Sequence, residues 1–484
     1  MEPLNTITVY FPFIDDGTKH ILQTIMENSY NFSNFVKLLV DEVCTKETTD
    51  LSIYFATLFS SFLYEKNHLD MIAKRFGKLA IIRPILFIEN AYSGKSEDLE
   101  KAIEAANAVI DTSSSNMIRM EMLLHKLHAE MVGYPKFLSV DATLLEIETM
   151  IDEHREFEFY KVQVYYLLRY KSDRDGDMDE SMRLLSMATQ TAEKLDDPYW
   201  KSRVYRQHAE HEEAYDLKKS AEYLQKSREI LEHLGDTNGI IADLQEQCRI
   251  MAIRGEYDQA IESSHELVTL IQKHGRPVSV ASLVLSTLYN VVGNPQAGLE
   301  WAKLAEIDLI PIHKPRASLN KAWSLALMGE IDAAFEIINN NREKILKSGL
   351  ESHLAGLYLI NGIAESAIGN YSESLSSIQN ALEIYEKRDT LMSVFISLAQ
   401  LARINLEWAM SEGTGELGPW IDILEEKGRE LDCHGIIAQA LGLKVRWLIH
   451  QNQMKEAEDV MSSFQSLVTE YDLAYLERDL KGLS

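Results

Sequence analysis

The sequence contains few of the residues that interrupt helices or cross-link small domains. Its 484 residues include only 3 Cys, 10 Pro and 23 Gly. Cys44, Cys248 and Cys433 lie far apart and share no metal-ligand spacing, which excludes a disulfide scaffold and a structural zinc site and fits a reducing compartment. With 46% hydrophobic and 25% charged residues, the composition indicates a folded, helix-rich protein.

Long apolar runs and excess positive charge are also missing. The most apolar segment, "LAIIRPILFIEN", is interrupted by Arg83 and Pro84, and the N-terminal "MEPLNT" does not resemble a signal peptide. The net charge of −27 argues against nucleic acid as a partner, because binding phosphates requires Lys and Arg. We therefore expect a cytoplasmic protein without membrane contact. Its acidity has two interpretations, solubility or attraction of a basic partner.

A repeat runs through most of the chain. "RGEYDQAIESSHEL", "MGEIDAAFEIINN" and "IGNYSESLSSIQNAL" each place a glycine in a turn, an apolar or aromatic residue two positions later and a small residue three positions after that. The residue after the turn recurs at spacings of 39, 40, 38, 36 and 40, at Met178, Leu217, Tyr257, Pro295, Ile331 and Tyr371. Weaker copies include Leu99 and Met454, with poorly defined ones near Ser139 and Leu417. The pattern predicts helix pairs joined by glycine turns of positive φ, with small residues where the helices cross.

The pattern resembles the tetratricopeptide repeat (TPR). The matching residues are the turn Gly369, Tyr371 after it, Ser374 and Ala381 in the second helix, and Gly362 in the first. The first-helix tryptophan of the family is absent from these copies, and the period exceeds the family's 34 residues. The resemblance covers residues 95–484 and implies an all-α fold, a right-handed α-solenoid of antiparallel helix pairs. We assign residues 76–484 to this solenoid, including a C-terminal capping helix.

The first 75 residues depart from the repeat. "NTITVYFPFIDDG" alternates β-branched and aromatic residues, which favours a short strand or extended arm. Helical stretches follow it. We expect residues 1–75 to form an atypical N-terminal cap, because a solenoid must cover its first apolar face.

An acidic segment, "SDRDGDMDESMRLL", has two interpretations, a calcium loop or a turn between helices. An EF-hand loop that starts at Asp173 would need glycine at position 6 and glutamate at position 12, but Met178 and Leu184 stand there. In the repeat register Gly176 is instead the turn glycine. We favour the turn, and a weak calcium site at Asp173–Asp177 remains the alternative.

Other local patterns do not support catalysis. "GKS" at 94–96 lacks the first glycine of a phosphate loop, because Glu89 stands there. His208 and His211 lack the order of a metalloprotease motif, and Cys433 with His434 forms no known motif. We predict no catalytic, metal or cofactor-binding residue and no cofactor, so the protein is not expected to be an enzyme; an unrecognised enzyme site is the third hypothesis.

The family's first helices line a concave groove, which gives the predicted binding residues. In this register they are Tyr205, Arg206, Arg249, Tyr289, Asn290, Arg316 and Asn320, with Trp323 as a weaker candidate. Arg and Tyr are residue types that anchor interfaces. The sequence thus predicts a non-catalytic scaffold that binds a protein or peptide. The alternative is a sensor of a peptide or small molecule in a signalling or transcriptional system, and the oligomeric state stays open.

Overall fold

The structure, a computed structural model, describes residues 5–46, 48–63, 65–92, 97–132, 140–175, 177–213, 215–273, 278–308, 314–348, 350–387, 390–412 and 418–480. Within these ranges the regular elements are helices and no strand occurs. The chain divides into two compact units, unit 1 with residues 1–209 and 222–243 and unit 2 with residues 210–221 and 244–484. The expected cap of residues 1–75 lies wholly within unit 1.

The helices up to the division are α1 Asn5–Thr8, α2 Asp16–Glu27, α3 Phe32–Thr45, α4 Asp50–Phe62, α5 Lys66–Phe76, α6 Arg83–Tyr92, α7 Asp98–Thr112, α8 Asn116–Val132, α9 Val140–Glu153, α10 Lys161–Asp175 and α11 Met178–Leu195. Three helices contribute residues to both units: α12 Pro198–Glu212, α13 Leu217–Leu234 and α14 Thr237–Ile253. Short 3₁₀ turns occupy Phe11–Phe13, Ala80–Ile82 and Arg155–Tyr160.

The remaining helices belong to unit 2 and are α15 Tyr257–Lys273, α16 Ser279–Val291, α17 Pro295–Asp308, α18 Lys314–Leu327, α19 Ile331–Ser348, α20 Glu351–Ala367, α21 Tyr371–Lys387, α22 Leu391–Glu412, α23 Trp420–Glu430, α24 His434–His450, α25 Met454–Glu470 and α26 Ala474–Leu480. Consecutive helices pack as hairpins. Each repeat is thus a first helix, a tight turn and a second helix.

The repeat register predicted from the sequence is confirmed at the helix starts. The reference residues Met178, Leu217, Tyr257, Pro295, Ile331, Tyr371 and Met454 are each the first residue of a helix. Leu99 is the second residue of α7. The poorly defined repeat copies near Ser139 and Leu417 have their reference residues outside the described residues.

Glycine turns of positive φ join the helices of the regular pairs, as predicted. Gly255, Gly293, Gly329 and Gly369 have φ between 73° and 80°. At Gly369 its own N–H donates to Ser366 O at 3.0 Å, and the next N–H, from Asn370, donates to Glu365 O at 3.0 Å. This is the Schellman arrangement, which satisfies carbonyls at the end of a helix.

Small residues mark the crossing of paired helices, also as predicted. Ser374 on α21 donates its hydroxyl to Gly362 O on α20 at 2.7 Å. A Cβ on Gly362 would lie 2.8 Å from Ser374 O, so only glycine fits there. In the pair α16–α17 the serine is on the first helix and the glycine on the second, and Ser286 donates to Gly298 O at 2.8 Å. These features make the helix pairs TPR-like.

The expected N-terminal strand or extended arm is wrong, because residues 5–13 form a short helix, a turn and a 3₁₀ turn. Tyr10 N–H donates to Ile7 O at 3.2 Å and Phe13 N–H to Tyr10 O at 3.0 Å, which are three-residue turns. Ile7 and Tyr10 are both buried in unit 1. Their spacing of three matches a helical face, and burial of that face outweighs the strand preference of the β-branched residues.

In unit 2 the last hairpin packs against α14 and α15. Gly435 N–H, on α24, donates to Arg254 O at 3.0 Å. The hydroxyl of Tyr475 on α26 donates to Gly255 O at 2.9 Å, and its N–H to Asp258 at 3.0 Å. The C-terminal segment expected to act as a cap therefore covers an early repeat of its own unit.

Candidate functional site

The predicted residues Asn290 and Asn320 are used in packing α16 against α18. Asn290 donates its amide to Asn320 O at 3.2 Å and accepts from the Ser324 hydroxyl at 2.8 Å. Asn320 donates to the Thr287 hydroxyl at 2.8 Å. Asn290 is buried, so its side chain has no access to solvent. The weaker candidate Trp323 is buried as well.

Arg206 is paired within unit 1. Its guanidinium donates to the Asp243 carboxylate and, at 3.1 Å, to Gly239 O. Burial raises the pKa of the Asp243 carboxyl, and Arg206 opposes that shift. Arg203 lies one helical turn earlier, 3.6 Å from the buried carboxylate of Asp236. These arginines join α12 to the start of α14.

Arg249 is paired within unit 2. Its guanidinium lies 2.7 Å from a Glu213 oxygen and donates through Nε to Glu246 at 2.8 Å. Burial raises the pKa of Glu213 to about 7, with Arg249 opposing the shift and the charges of Glu246 and Glu210 adding to it. Two carboxylates of its own unit therefore neutralise Arg249.

Tyr205 lies in a half-buried aromatic cluster of unit 1. Its ring is 6.1 Å from the ring of Tyr223, and His208 stacks on Tyr223 at 4.7 Å with 17° between the planes. The His208 Nε2 is 2.9 Å from the Thr189 hydroxyl, which fixes the imidazole. We call Tyr205, His208 and Tyr223 the α12–α13 aromatic surface.

Tyr289 lies in a comparable cluster of unit 2. Its hydroxyl is 2.8 Å from His265 Nε2, and His265 packs edge-on against Trp301 with ring centroids 5.4 Å apart. All three side chains are half-buried. Arg316, the last predicted residue, is exposed in the first turn of α18. Half-buried tyrosine and tryptophan can contact a partner at low entropic cost, and arginine is enriched among the residues that dominate interfaces.

Sequence reasoning missed four members of these clusters, His208, Tyr223, His265 and Trp301, as binding candidates. A signal was present for two of them: Tyr223 follows Leu217 by six positions, and Trp301 follows Pro295 by six. Both aromatic residues therefore occupy the same place in the second helix of their repeat. The groove prediction considered first helices alone and so passed over this position.

Two open grooves of unit 2 lie between successive second helices. One, of about 650 Å³, is lined by Arg429 on α23, by Ile437 and Leu441 on α24, and by serines of α25. Of the second helices that border it, α23 has 11 residues and α25 has 17. The other, of about 380 Å³, lies between α19 and α21 and is lined by Tyr358, Asn361 and several serines. The predicted groove residues line neither of these two.

The acidic segment joins two helices. Helix α10 ends at Asp175 and α11 begins at Met178, with Asp177 capping α11 through the Glu180 N–H at 3.1 Å. The cap bond of Asp177 fits the turn interpretation. Gly176 and the side chains of Asp173 to Asp175 lie outside what the structure describes, as does "GKS" at 94–96. The calcium alternative therefore stays untested.

The other sequence candidates have structural partners. His211 packs near Tyr215, with ring centroids 5.2 Å apart. Cys433 is buried, which raises the pKa of its thiol to about 12, and His434 stacks on Tyr471 at 4.1 Å. All three cysteines are free. In the part of the chain that the structure describes, no helix is both long and apolar enough to cross a bilayer.

Comparison with known proteins gives remote likenesses. No protein-family model and no curated protein matches the chain. Among solved structures it is similar to a signal transduction ATPase with numerous domains that carries a tetratricopeptide repeat sensor, from Pyrococcus horikoshii, at 12% identity and a TM-score of 0.34, over 95% of this chain and 74% of that one. It is also similar to yeast Tom70, at 12% identity and a TM-score of 0.33, over 96% of each chain.

The TPR-like character is seen in the chain's own geometry. Glycine turns of positive φ recur at Gly255, Gly293, Gly329 and Gly369, and serine–glycine crossings occur in the pairs α16–α17 and α20–α21. The likenesses to solved structures are too remote to add a partner or an activity. Function is therefore argued from the surfaces of this chain.

Proposed function

We propose that this protein recognises another protein or a peptide without catalysing a reaction. The observation that carries the proposal is the pair of half-buried aromatic clusters around Tyr205 and Tyr289, each fixed by a histidine. A fixed aromatic side chain loses little conformational entropy on binding and buries a large area. Tyr205 and Tyr289, two of the seven binding residues predicted from the sequence, are half-buried, and Arg316, a third, is exposed.

The other predicted residues are proposed to act indirectly. Arg206, Arg249, Asn290 and Asn320 hold neighbouring helices together through the bonds described above. They would position the helices that carry the aromatic clusters. The three free thiols suit a reducing compartment such as the cytoplasm.

Alanine variants of the two tyrosines test the proposal. The purified full chain serves as bait in quantitative affinity capture, and the Kd of each retained protein is then measured with purified components. We expect Tyr205→Ala or Tyr289→Ala to weaken binding at least about tenfold, which corresponds to about 1.4 kcal/mol. Tyr30→Ala is the matched control, because Tyr30 is 76% exposed and lies outside both clusters.

Two results would contradict the proposal. One is that no protein binds the chain with a measurable Kd. The other is that every retained protein binds both variants as tightly as it binds the control.

A second candidate function, sensing a peptide or small molecule, is favoured by the groove between α23 and α25. Its volume of about 650 Å³ lies within the range of ligand pockets, roughly 300–1,000 Å³. Native mass spectrometry of the chain from its own cells should then show an added mass. Ser463→Trp, placed on the exposed groove wall, should remove that mass by filling the groove. A spectrum of the unmodified chain with no added mass would argue against the sensor.

A further inference from the structure

The α12–α13 aromatic surface already holds a cation of its own chain. Lys226, exposed and one turn after Tyr223, places its Nζ 5.1 Å from the Tyr223 ring centroid and 6.0 Å from that of Tyr205. Ring faces attract cations at such distances, up to about 6 Å. The position over these rings is therefore suited to a positive charge.

A carboxylate borders the same surface. Glu193, exposed on α11, accepts a hydrogen bond from the Tyr205 hydroxyl at 3.4 Å. Burial and then the charge of Glu193 raise the pKa of Tyr205, so this hydroxyl stays a donor at neutral pH. A cation that stacks on the rings would find Glu193 at the edge of the ring face.

The charge of the whole chain points to the same kind of ligand. With 75 acidic and 48 basic residues, the protein draws basic segments towards it and repels acidic ones. An acidic segment that reached the rings would meet Glu193 and would have to draw Lys226 away from them. A basic segment would be attracted by Glu193 and could take the place of Lys226 over the rings.

We propose that the α12–α13 aromatic surface binds an arginine side chain of a basic protein or peptide segment. The guanidinium stacks on Tyr223 and Tyr205, pairs with Glu193 and displaces Lys226. Arginine fits better than lysine because its planar, weakly hydrated group can stack on a ring and still donate to a carboxylate. This inference rests on the proposed function and names its partner class.

Fluorescence anisotropy with labelled peptides tests the inference on the full chain. The probes are fluorescein-labelled (Arg-Gly)₄, (Lys-Gly)₄ and (Glu-Gly)₄, measured at low and at moderate salt. We expect the arginine peptide to bind at least about threefold more tightly than the lysine peptide, and the glutamate peptide to bind more weakly than either.

Two substitutions separate a specific contact from general attraction. Tyr223→Leu keeps an apolar side chain but removes the ring face, and should weaken binding of the arginine peptide at least about fivefold. Lys226→Gln removes the competing internal cation and should strengthen binding about two- to threefold. Tyr30→Leu is the matched control, because Tyr30 is 76% exposed and lies outside the α12–α13 aromatic surface, and it should change the Kd of the peptide little.

Unchanged binding in Tyr223→Leu, or an equal loss in Tyr30→Leu, would overturn the inference. Weaker binding in Lys226→Gln would also overturn it, because that lysine would then be a contact and not a competitor. A captured protein partner that is insensitive to Tyr223→Leu would reject this inference while leaving the proposed function intact. If the capture experiment instead finds no protein partner, the proposed function fails, and the peptide measurements still test this inference separately.

Discussion

Unit 1 and unit 2 are both all-helical within the described residues, but they fill their interiors differently. Unit 1 packs aromatic rings: Phe59 lies within 6.1 Å, centroid to centroid, of five other rings, those of Tyr10, Phe32, Phe35, Phe55 and Phe62. Unit 2 brings helices close through glycine, serine and alanine at their crossings. Large interlocking rings specify one irregular arrangement, whereas small residues at fixed offsets allow the same hairpin to repeat.

Buried polar groups follow the same division. In unit 1 the carboxyl of Glu121 is buried and accepts from the hydroxyls of Tyr54 and Tyr160 at 2.6 and 2.5 Å. Burial raises the pKa of this carboxyl, and the tyrosine bonds oppose the shift. In unit 2, Ser286 on α16 donates to a backbone carbonyl of α17, and Asn290 on α16 donates to one of α18. The bonds of Glu121 span 67 and 39 positions, and those of Ser286 and Asn290 span 12 and 30.

The largest predicted effect is the loss of a ring from unit 1. Phe59→Ala should lower the free energy of unfolding by about 3–5 kcal/mol, because the surrounding rings cannot close the cavity. Hydrogen exchange in α4 and α3 should speed up accordingly. Phe11→Ala is the control, since Phe11 is only partly buried. A loss below about 1 kcal/mol for Phe59→Ala would mean that the aromatic core is loosely packed.

The next effect tests the close helix crossing of unit 2. Gly362→Ala should cost about 2–3 kcal/mol by overpacking, since its Cβ would lie 2.5 Å from Ile378 Cγ1 and 2.8 Å from Ser374 O. Gly356→Ala in the same helix is the matched control, because its Cβ would meet nothing closer than 3.5 Å. That change should be neutral or stabilising, because alanine favours helix over glycine. Urea denaturation measures both, and equal effects would refute a specific crossing at Gly362.

The sequence predicted these crossings because each one depends on residues within a single repeat. Gly362 and Ser374 are twelve positions apart, and a local pattern is enough to pair them. The turn glycines and the helix starts were predictable for the same reason. The spacing of residues within one repeat was therefore enough to predict the regular helix pairs.

The contacts that the sequence could not show are long-range. Thr6 donates to Asp197 at 2.8 Å across 191 positions, and Tyr475 donates to Gly255 O across 220. No periodicity links such residues. The same limit applies to the candidate site. Arg206 and Arg249 pair with carboxylates 37 and 36 positions away, whereas Arg316 is exposed. The sequence pattern assigned all three arginines the same predicted role.

The pH range over which the free energy of unfolding falls should differ between the buried carboxyl groups of the two units. In unit 2, Glu213 has an ordinary pKa of 4.5, raised to about 7 by burial, and faces Arg249, Glu246 and Glu210. Below pH 4.5 both folded and unfolded states hold the proton. Between 4.5 and 7 the unfolded state loses it first, so stability falls as pH rises. Glu213→Gln should reduce that fall by on the order of 2 kcal/mol.

In unit 1 the corresponding group is Asp197, whose pKa is raised from 3.8 to about 6, mainly by burial. The fall in stability should therefore occupy the window from 3.8 to 6. Asp197→Asn retains an acceptor for Thr6 and should remove that part of the fall. Urea denaturation at pH 4, 5.5 and 7.5 measures both variants. A wild-type profile that is flat between pH 4 and 7.5 would contradict both assignments.

The smallest effect concerns the turns, where both units use either glycine or Asp/Asn for the same backbone conformation. Gly329 of unit 2 has φ +80° and Asp196 of unit 1 has φ +54°, while Gly235 of unit 1 and Asp432 of unit 2 show the reverse choice. A Cβ on Gly329 would meet nothing within 4 Å, so Gly329→Ala should cost only the conformational penalty, about 1 kcal/mol. Gly329→Asn should cost about half as much, because asparagine tolerates this region better. If thermal denaturation shows equal losses for the two variants, contacts and not backbone conformation govern the turn, and the aspartate of unit 1 would need another explanation.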